Sequence, residues 1–389
     1  MTKVIYILPD VDAGVTSIVR NLLKFRDKTA GINYKVILTR EIERNSNHVD
    51  YKLDADEQHV LTYSKYENLY AVFNRLKREI QSPEDIIVAN DGLELRMINA
   101  LGIKNRVVYI IHGDFEYYYG LIRKYGGIID KIIAYSSEIE VKVNKLVADL
   151  NFSIEVELNY YPVPEIEIKK DFERSIDLLF VGTFVKRKGV QYLLQIYQKL
   201  RSENVHFNLH LVGGGELEKE LFDAFRNEKS VVFHGLLSND KVIEIMKMSK
   251  VLLFPSLSEG LPNVLVEAMK AGCVPISHDL PSGVHDLIDH GVTGYIVNIG
   301  AIDEFSAYAE SLLLNQNIRE DISVRTSSKM NDMFEPFENA KKYEKTILGT
   351  SGKKIKVYNK INEGGFLNKP FMPNFFVKVI RRLKLNSKL

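Results

Sequence analysis

The chain has 389 residues, 45% of them hydrophobic and 26% charged, with 52 Lys or Arg against 51 Asp or Glu and a net charge of +1. That length calls for two α/β domains of roughly 150 to 200 residues each, and the balanced charge excludes the one-sided field of a nucleic-acid binder. Cys273 is the only cysteine, which excludes an internal disulfide and a thiolate zinc cluster and predicts a reducing, cytoplasmic setting.

The apolar stretch within residues 1–9 is too short for a secretory signal core and predicts a buried first strand. No apolar run reaches the ~20 residues of a membrane-spanning helix, so any membrane contact is expected to be peripheral. Short β-branched runs then alternate with segments of helical period, the pattern of parallel strands joined by crossover helices. In the first half the predicted strands are Val4–Leu8, Lys35–Thr39, Ile86–Ala89, Val107–Ile111 and Lys131–Ala134. Asn159-Tyr-Tyr-Pro-Val-Pro-Glu165 breaks the rhythm, because two closely spaced prolines disfavour helix and central strand alike. It predicts a linker running to about Arg174. The second half repeats the alternation with Leu178–Val181, Leu209–Val212, Val231–Phe233, Val251–Phe254, Val274–Ile276 and Tyr295–Val297. Two doubly wound sheets in tandem are expected to turn their carboxyl ends toward one central cleft.

The segment from Phe254 to Gly272 reads as strand end, tight loop and helix, with Pro262 in the first turn and Gly272 at the C-terminal cap. Val264, Leu265, Ala268 and Met269 form the expected inward stripe, leaving Asn263, Glu267 and Lys270 on the opposite edge. Glu259 falls in the loop beside Gly260, Leu261, Pro262 and Asn263, a segment whose backbone N–H groups, with none on Pro262, read as an anion site at a helix N-terminus. A phosphate is expected to dock there without a metal.

Glu259-Gly-Leu-Pro262, followed by Glu267 after seven intervening residues, resembles the signature of the retaining glycosyltransferases of family 4, which have the GT-B fold. Phe180-Val-Gly-Thr-Phe-Val-Lys-Arg-Lys-Gly189, Leu211-Val-Gly-Gly-Gly-Glu216, Val232-Phe-His-Gly235 and Ile288-Asp-His-Gly-Val-Thr-Gly-Tyr295 match the family in its order. The match is clear over 176–300 and weaker over 1–160. The resemblance implies a GT-B chain of two Rossmann-like, doubly wound parallel-sheet domains: an acceptor domain over 1–165, a nucleotide-sugar donor domain over 175–330, a helix over 331–349 returning to the first domain, and a basic extension over 350–389. It implies transfer from a nucleoside-diphosphate sugar to a saccharide or lipid-linked acceptor, without a cofactor or metal.

By the same resemblance, Glu267 binds the ribose hydroxyls, Glu259 the hydroxyls of the transferred sugar and Lys188 the diphosphate. The family commonly has an arginine after Gly182 as a second cation; this chain has Thr183. Lys186 or Arg187 could substitute, and each reads equally well as a solvated loop charge. Gly213–Gly215 read as a structural turn, since Glu216 and Glu218 disfavour a phosphate at that helix end. Leu236 is a candidate for packing near the base or a plain core leucine.

In the first half, Gly14 and the N–H of Val15 follow the first strand where the family has a glycine pair, and only one glycine is present. His112, at the carboxyl end of a buried strand, corresponds to a family histidine near the reacting sugar, against the alternative of a satisfied structural histidine. Tyr117, Tyr118 and Tyr119 could stack on a sugar, although three consecutive tyrosines cannot all face one ligand. Asp10/Asp12 and Asp54/Asp56 have the spacing of a metal motif but fall in the wrong half for a nucleotide. A sugar-nucleotide 2-epimerase of the same fold and a non-catalytic binding protein are the competing functions.

Past Gly349 the chain carries ten Lys or Arg against the single acidic Glu363. Phe375, Phe376, Val379, Ile380 and Leu383 share one helical face, with Lys378, Arg381, Arg382 and Lys384 on the other. Residues 366–389 therefore predict either an anionic-membrane anchor or a helix packed by its apolar face onto the N-terminal domain.

Overall fold

The computed structural model describes residues 3–11, 14–44, 50–168, 173–353, 355–359 and 365–386. Asp12 and Glu363 lie outside them. The chain divides into two compact units. The N-terminal unit holds Met1–Tyr135, Glu140–Pro162 and Pro336–Leu389, and the C-terminal unit holds Val163–Glu335 with the short segment Ser136–Ile139.

The N-terminal unit is built on seven parallel strands: β1 (Lys3–Pro9), β2 (Asn33–Glu41), β3 (Glu57–Tyr63), β4 (Ile86–Ala89), β5 (Arg106–Ile111), β6 (Lys131–Ala134) and β7 (Glu155–Leu158), in the order 3-2-1-4-5-6-7. All five strands predicted for this half are present. The two additional strands, β3 and β7, lie at the edges, where pairing on one side suffices and charged residues such as Glu57, Glu155 and Glu157 are tolerated. Their mixed composition hides them from a search for apolar runs.

The C-terminal unit has six parallel strands: β8 (Ile176–Val181), β9 (Leu209–Val212), β10 (Val231–Gly235), β11 (Ser249–Phe254), β12 (Val274–His278) and β13 (Tyr295–Val297), in the order 10-9-8-11-12-13. Its core gathers Leu178 and Phe180 from β8, Leu193, Ile196 and Leu200 from the helix Val190–Ser202, and Phe305 and Leu312 from the helix Ile302–Leu314. In each sheet the winding reverses beside the first strand, between β1 and β4 and between β8 and β11. Crevices at the carboxyl ends of such strands are where open α/β sheets bind ligands.

Lys270 does not share the exposed edge expected for it. It is fully buried on the helix Asn263–Lys270, with Val266 also inward and Val264 only half-buried. The Lys270 Nζ donates to the carbonyls of Val163 at 2.8 Å and Phe334 at 3.1 Å, near the two points where the chain passes between the units. Burial lowers its ammonium to about 8.

The C-terminal extension is anchored on the N-terminal unit by a buried lysine and a half-buried arginine. Lys356 Nζ reaches the Asp130 carboxylate at 2.8 Å and the carbonyls of Asn105 and Ile128. Arg381, from the helix Asn374–Asn386, donates to the Glu67 carbonyl and to Asn368 Oδ1.

Candidate functional site

In the C-terminal unit the loop after β8 closes in a single 3-10 turn, Lys186–Lys188, and ends at Gly189 with φ 72. A Cβ at Gly189 would lie 1.7 Å from the carbonyl oxygen of Pro255, so only glycine lets this turn meet the loop after β11. The two loops are joined by Leu257 N donating to Arg187 O at 2.8 Å. That contact brings Lys188 Nζ to 2.7 Å from Glu259 Oε1, with both side chains largely buried. Arg187 stands 3.6 Å from Glu259 Oε2 and donates to Ser258 O at 2.8 Å. A second cation therefore stands at the glutamate despite Thr183, which is exposed.

Gly260, Leu261 and Pro262 are buried and Asn263 is half-buried. Pro262 is the N-cap and has no N–H; Leu265 N and Val266 N both bond its carbonyl, which leaves the N–H groups at the start of the helix without an intrahelical partner. The Gly260 carbonyl accepts from Gly283 N at 2.9 Å, and a Cβ at Gly283 would lie 2.5 Å from Leu261 Cδ1, so the loop is held by close backbone packing.

Glu267, one turn into the helix, is half-buried. Burial pushes its carboxyl up to about 7, opposed by a hydrogen bond from Asn239. At neutral pH it is poised between protonated and ionised. Leu236 is 84% exposed, which rules out the core reading. It lies over the glycine turn, where a Cβ at Gly214 would be 3.4 Å from Leu236 Cγ. The turn itself has a shaping role, since Gly213 and Gly215 have φ of 140 and 155 and back onto Gly182 and Phe184.

The N-terminal unit holds Gly14, Val15 and His112. Gly14 is exposed and opens the helix Gly14–Lys24 after β1, with Val15 half-buried behind it. His112 follows β5 and is 9% exposed. Its Nε2 lies 2.8 Å from Asn90 Oδ1. The Asn90 amide donates to the carbonyls of Ile7 and Val88, so its oxygen can only accept, and the imidazole proton sits on Nε2. The Nδ1 atom is buried with no hydrogen-bond partner, and burial lowers the imidazole to about 3. His112 is thus a neutral acceptor.

Sequence reasoning missed Asn90 and Glu94. Glu94 is fully buried, and its Oε1 accepts from Asn90 N at 2.7 Å and Asp91 N at 2.6 Å. Burial, then the Asp91 charge, raises its carboxyl to about 8. The Asp91-x-x-Glu94 spacing directly after a strand is a capping-box signal that could have found it. The tyrosine run divides, as Tyr117 donates to Asp91 and Tyr119 to Asp114. Of the two metal-like acidic pairs, the three described carboxylates meet cations: Asp10 lies 2.6 Å from Arg40, Asp54 2.8 Å from Lys28 and Asp56 3.8 Å from Arg26. Among the described residues no group of three or more His, Cys, Asp or Glu could hold a metal ion.

Residues 164–328, nearly the whole C-terminal unit, match the family model described as glycosyl transferases group 1. An uncharacterized glycosyltransferase of Haemophilus influenzae is 25% identical over 289 residues, covering 69% of this chain and 78% of the relative. Lipopolysaccharide 1,6-galactosyltransferase of Salmonella typhimurium is 30% identical over 171 residues, covering 42% of this chain and 47% of the relative. The crystal structure of Anabaena HepE in complex with UDP-glucose superposes with a TM-score of 0.72 at 16% identity, covering 90% of this chain and 100% of that one. Strand order and structural likeness together give the chain the GT-B fold, and the sequence matches support a group 1 glycosyltransferase.

Proposed function

We propose that the chain is a retaining glycosyltransferase that moves a sugar from a nucleoside-diphosphate sugar to a saccharide or lipid-linked acceptor in bacterial cell-surface polysaccharide or lipopolysaccharide synthesis, working without a metal at the cytoplasmic face of the membrane. The observation that carries this reading is the 2.7 Å pairing of Lys188 with Glu259 beside the winding reversal of the C-terminal sheet. A cation and a carboxylate that close can grip adjacent parts of one small ligand, the diphosphate and the sugar attached to it. Arg187 and the helix start at Asn263 add positive potential.

In the reaction the bond between the anomeric carbon and the diphosphate oxygen breaks, and the diphosphate leaves with the electron pair. The acceptor hydroxyl attacks the anomeric carbon from the same face and passes its proton to the departing diphosphate. Charge grows on the departing phosphate, so a positioned ammonium stabilises the transition state more than the ground state. Glu267 takes the ribose hydroxyls, Gly260–Asn263 the phosphate region and Leu236 the base. Gly14, Val15 and the neutral acceptor His112 serve the sugars. Retention rests on the family resemblance.

The test is incubation of the chain with radiolabelled UDP-, GDP- and ADP-sugars and a cell-envelope extract, with and without EDTA. Label in the acceptor, insensitive to EDTA and with unchanged anomeric configuration by NMR, is the expected result. An altered free sugar identifies the epimerase instead, and binding without either product identifies a non-catalytic protein.

A further inference from the structure

The helix Asn374–Asn386 has two opposed faces, and it docks by the unexpected one. Asn374, Val377, Lys378 and Arg381 recur at helical spacing on the side that meets the N-terminal unit. Asn374 bonds Asn68 N at 2.8 Å and the Glu67 carboxylate at 3.0 Å, Val377 is fully buried, Lys378 lies 3.6 Å from the Glu67 carboxylate, and Arg381 holds the Glu67 carbonyl. The opposite side presents Phe375, Phe376, Val379 and Leu383 at 72, 58, 40 and 62% exposure. Phe366 and Phe371, from the segment leading into the helix, are 66 and 69% exposed. Packing by the apolar face is therefore overturned: the polar edge docks and the hydrocarbon face points outward.

Six large apolar side chains held outward on an anchored element cost solvation free energy, and a patch of that kind marks an interaction surface. Its charge says what covers it. Residues 366–389 contain six Lys or Arg and no Asp or Glu. Arg382 is exposed and lies over the Tyr66 ring, as does the exposed Lys65 from the loop after β3. The acidic group beneath, Glu67, is buried and engaged by Arg75, Lys378 and Asn374. We infer that this face seats on an anionic lipid bilayer, with the aromatic side chains in the headgroup boundary and Lys65 and Arg382 at the phosphates. Apolar insertion and cationic attraction each bind weakly alone and together give stable association. The inference gives the proposed lipid-linked acceptor a place to be met, and the binding itself needs no sugar donor.

The experiment is sedimentation of the full chain with phosphatidylcholine vesicles that contain or lack phosphatidylglycerol. The chain is expected to sediment only with the anionic vesicles and to be released by high salt. A Phe375→Ser, Phe376→Ser, Leu383→Ser variant, altered only at exposed positions, is expected to keep its melting temperature and lose about tenfold in vesicle affinity. Lys65→Glu with Arg382→Glu is expected to abolish the preference for anionic lipid. Equal sedimentation of the triple variant and the parent overturns the inference. So does analytical ultracentrifugation showing a dimer that the triple variant dissolves, which would make the face a contact between copies. A chain that transfers no sugar yet binds vesicles this way sinks the proposed reaction and leaves the membrane face standing.

Discussion

Lys188 and Glu259 stand 2.7 Å apart although 71 residues separate them, and Gly189 is what allows their loops to touch. Removing the ammonium leaves a largely buried carboxylate short of its nearest cation. Lys188→Ala and Glu259→Ala are each expected to lower kcat/KM by about 10²–10³-fold. The double variant should be far less impaired than the product of the two losses, because each single change already breaks the shared unit. Radiolabel transfer measures all three, and strictly multiplicative losses would show that the pair does not act together.

Glu267 titrates near 7 in the folded chain, raised from 4.5 by burial. If its ionised form accepts the ribose hydroxyls, nucleotide affinity should rise as pH increases from 6 to 8. Glu267→Gln should bind more weakly and show only the dependence due to the phosphate itself. Calorimetric titration with UDP and GDP at several pH values checks this; parallel profiles for parent and variant would remove Glu267 from the nucleotide site.

Asn90 fixes His112 through its side-chain oxygen. In ¹⁵N-histidine-labelled protein, His112 should appear as a neutral imidazole protonated at Nε2 throughout the range from pH 5 to 8. Asn90→Leu should free the ring and lower kcat by about tenfold with little change in KM. Asn90→Asp should raise the imidazole's titration point. A protonated His112 at pH 7 in the parent would contradict the acceptor role.

Glu94 titrates near 8 when folded and near 4.5 when unfolded, so the folded chain holds this proton more tightly. Its contribution to stability is complete below 4.5 and is lost as pH rises through 8. Glu94→Gln keeps an oxygen for the two backbone donors and removes the charge. The melting temperature of the parent should therefore fall more steeply between pH 5 and 9 than that of the variant. Equal slopes would mean that Glu94 is not the group responsible.

Lys270→Met should destabilise the chain by about 2–4 kcal/mol, since two buried carbonyls lose their donor. Chemical denaturation followed by circular dichroism measures the loss. A change below about 0.5 kcal/mol would show that other groups satisfy those carbonyls.

The sheet strands with apolar runs were legible because burial on both faces imposes a continuous β-branched signature, as in Ile86–Ala89 and Leu209–Val212. β3 and β7 were not, since an edge strand is free to carry charge. The pairing of Lys188 with Glu259 lay partly within reach, because their motifs flank loops after neighbouring strands. Arg187 could not be separated from a solvated lysine or arginine, as only the Leu257–Arg187 backbone contact decides its neighbour. Asn90 owes its role to β1, β4 and β5 lying side by side, a relation absent from local sequence. Helical periodicity placed Lys270 on an edge, and the chain segments that cover that edge are 107 and 64 residues away.

Those same two segments have an evolutionary corollary. Val163 N also bonds Phe334 O at 3.4 Å, so the stretch from 163 to 334, which with Ser136–Ile139 makes up nearly all of the C-terminal unit, starts and finishes at one spot and forms a cassette spliced into its host. A cassette with adjoining ends can be exchanged between homologues without rethreading the sheet of its host.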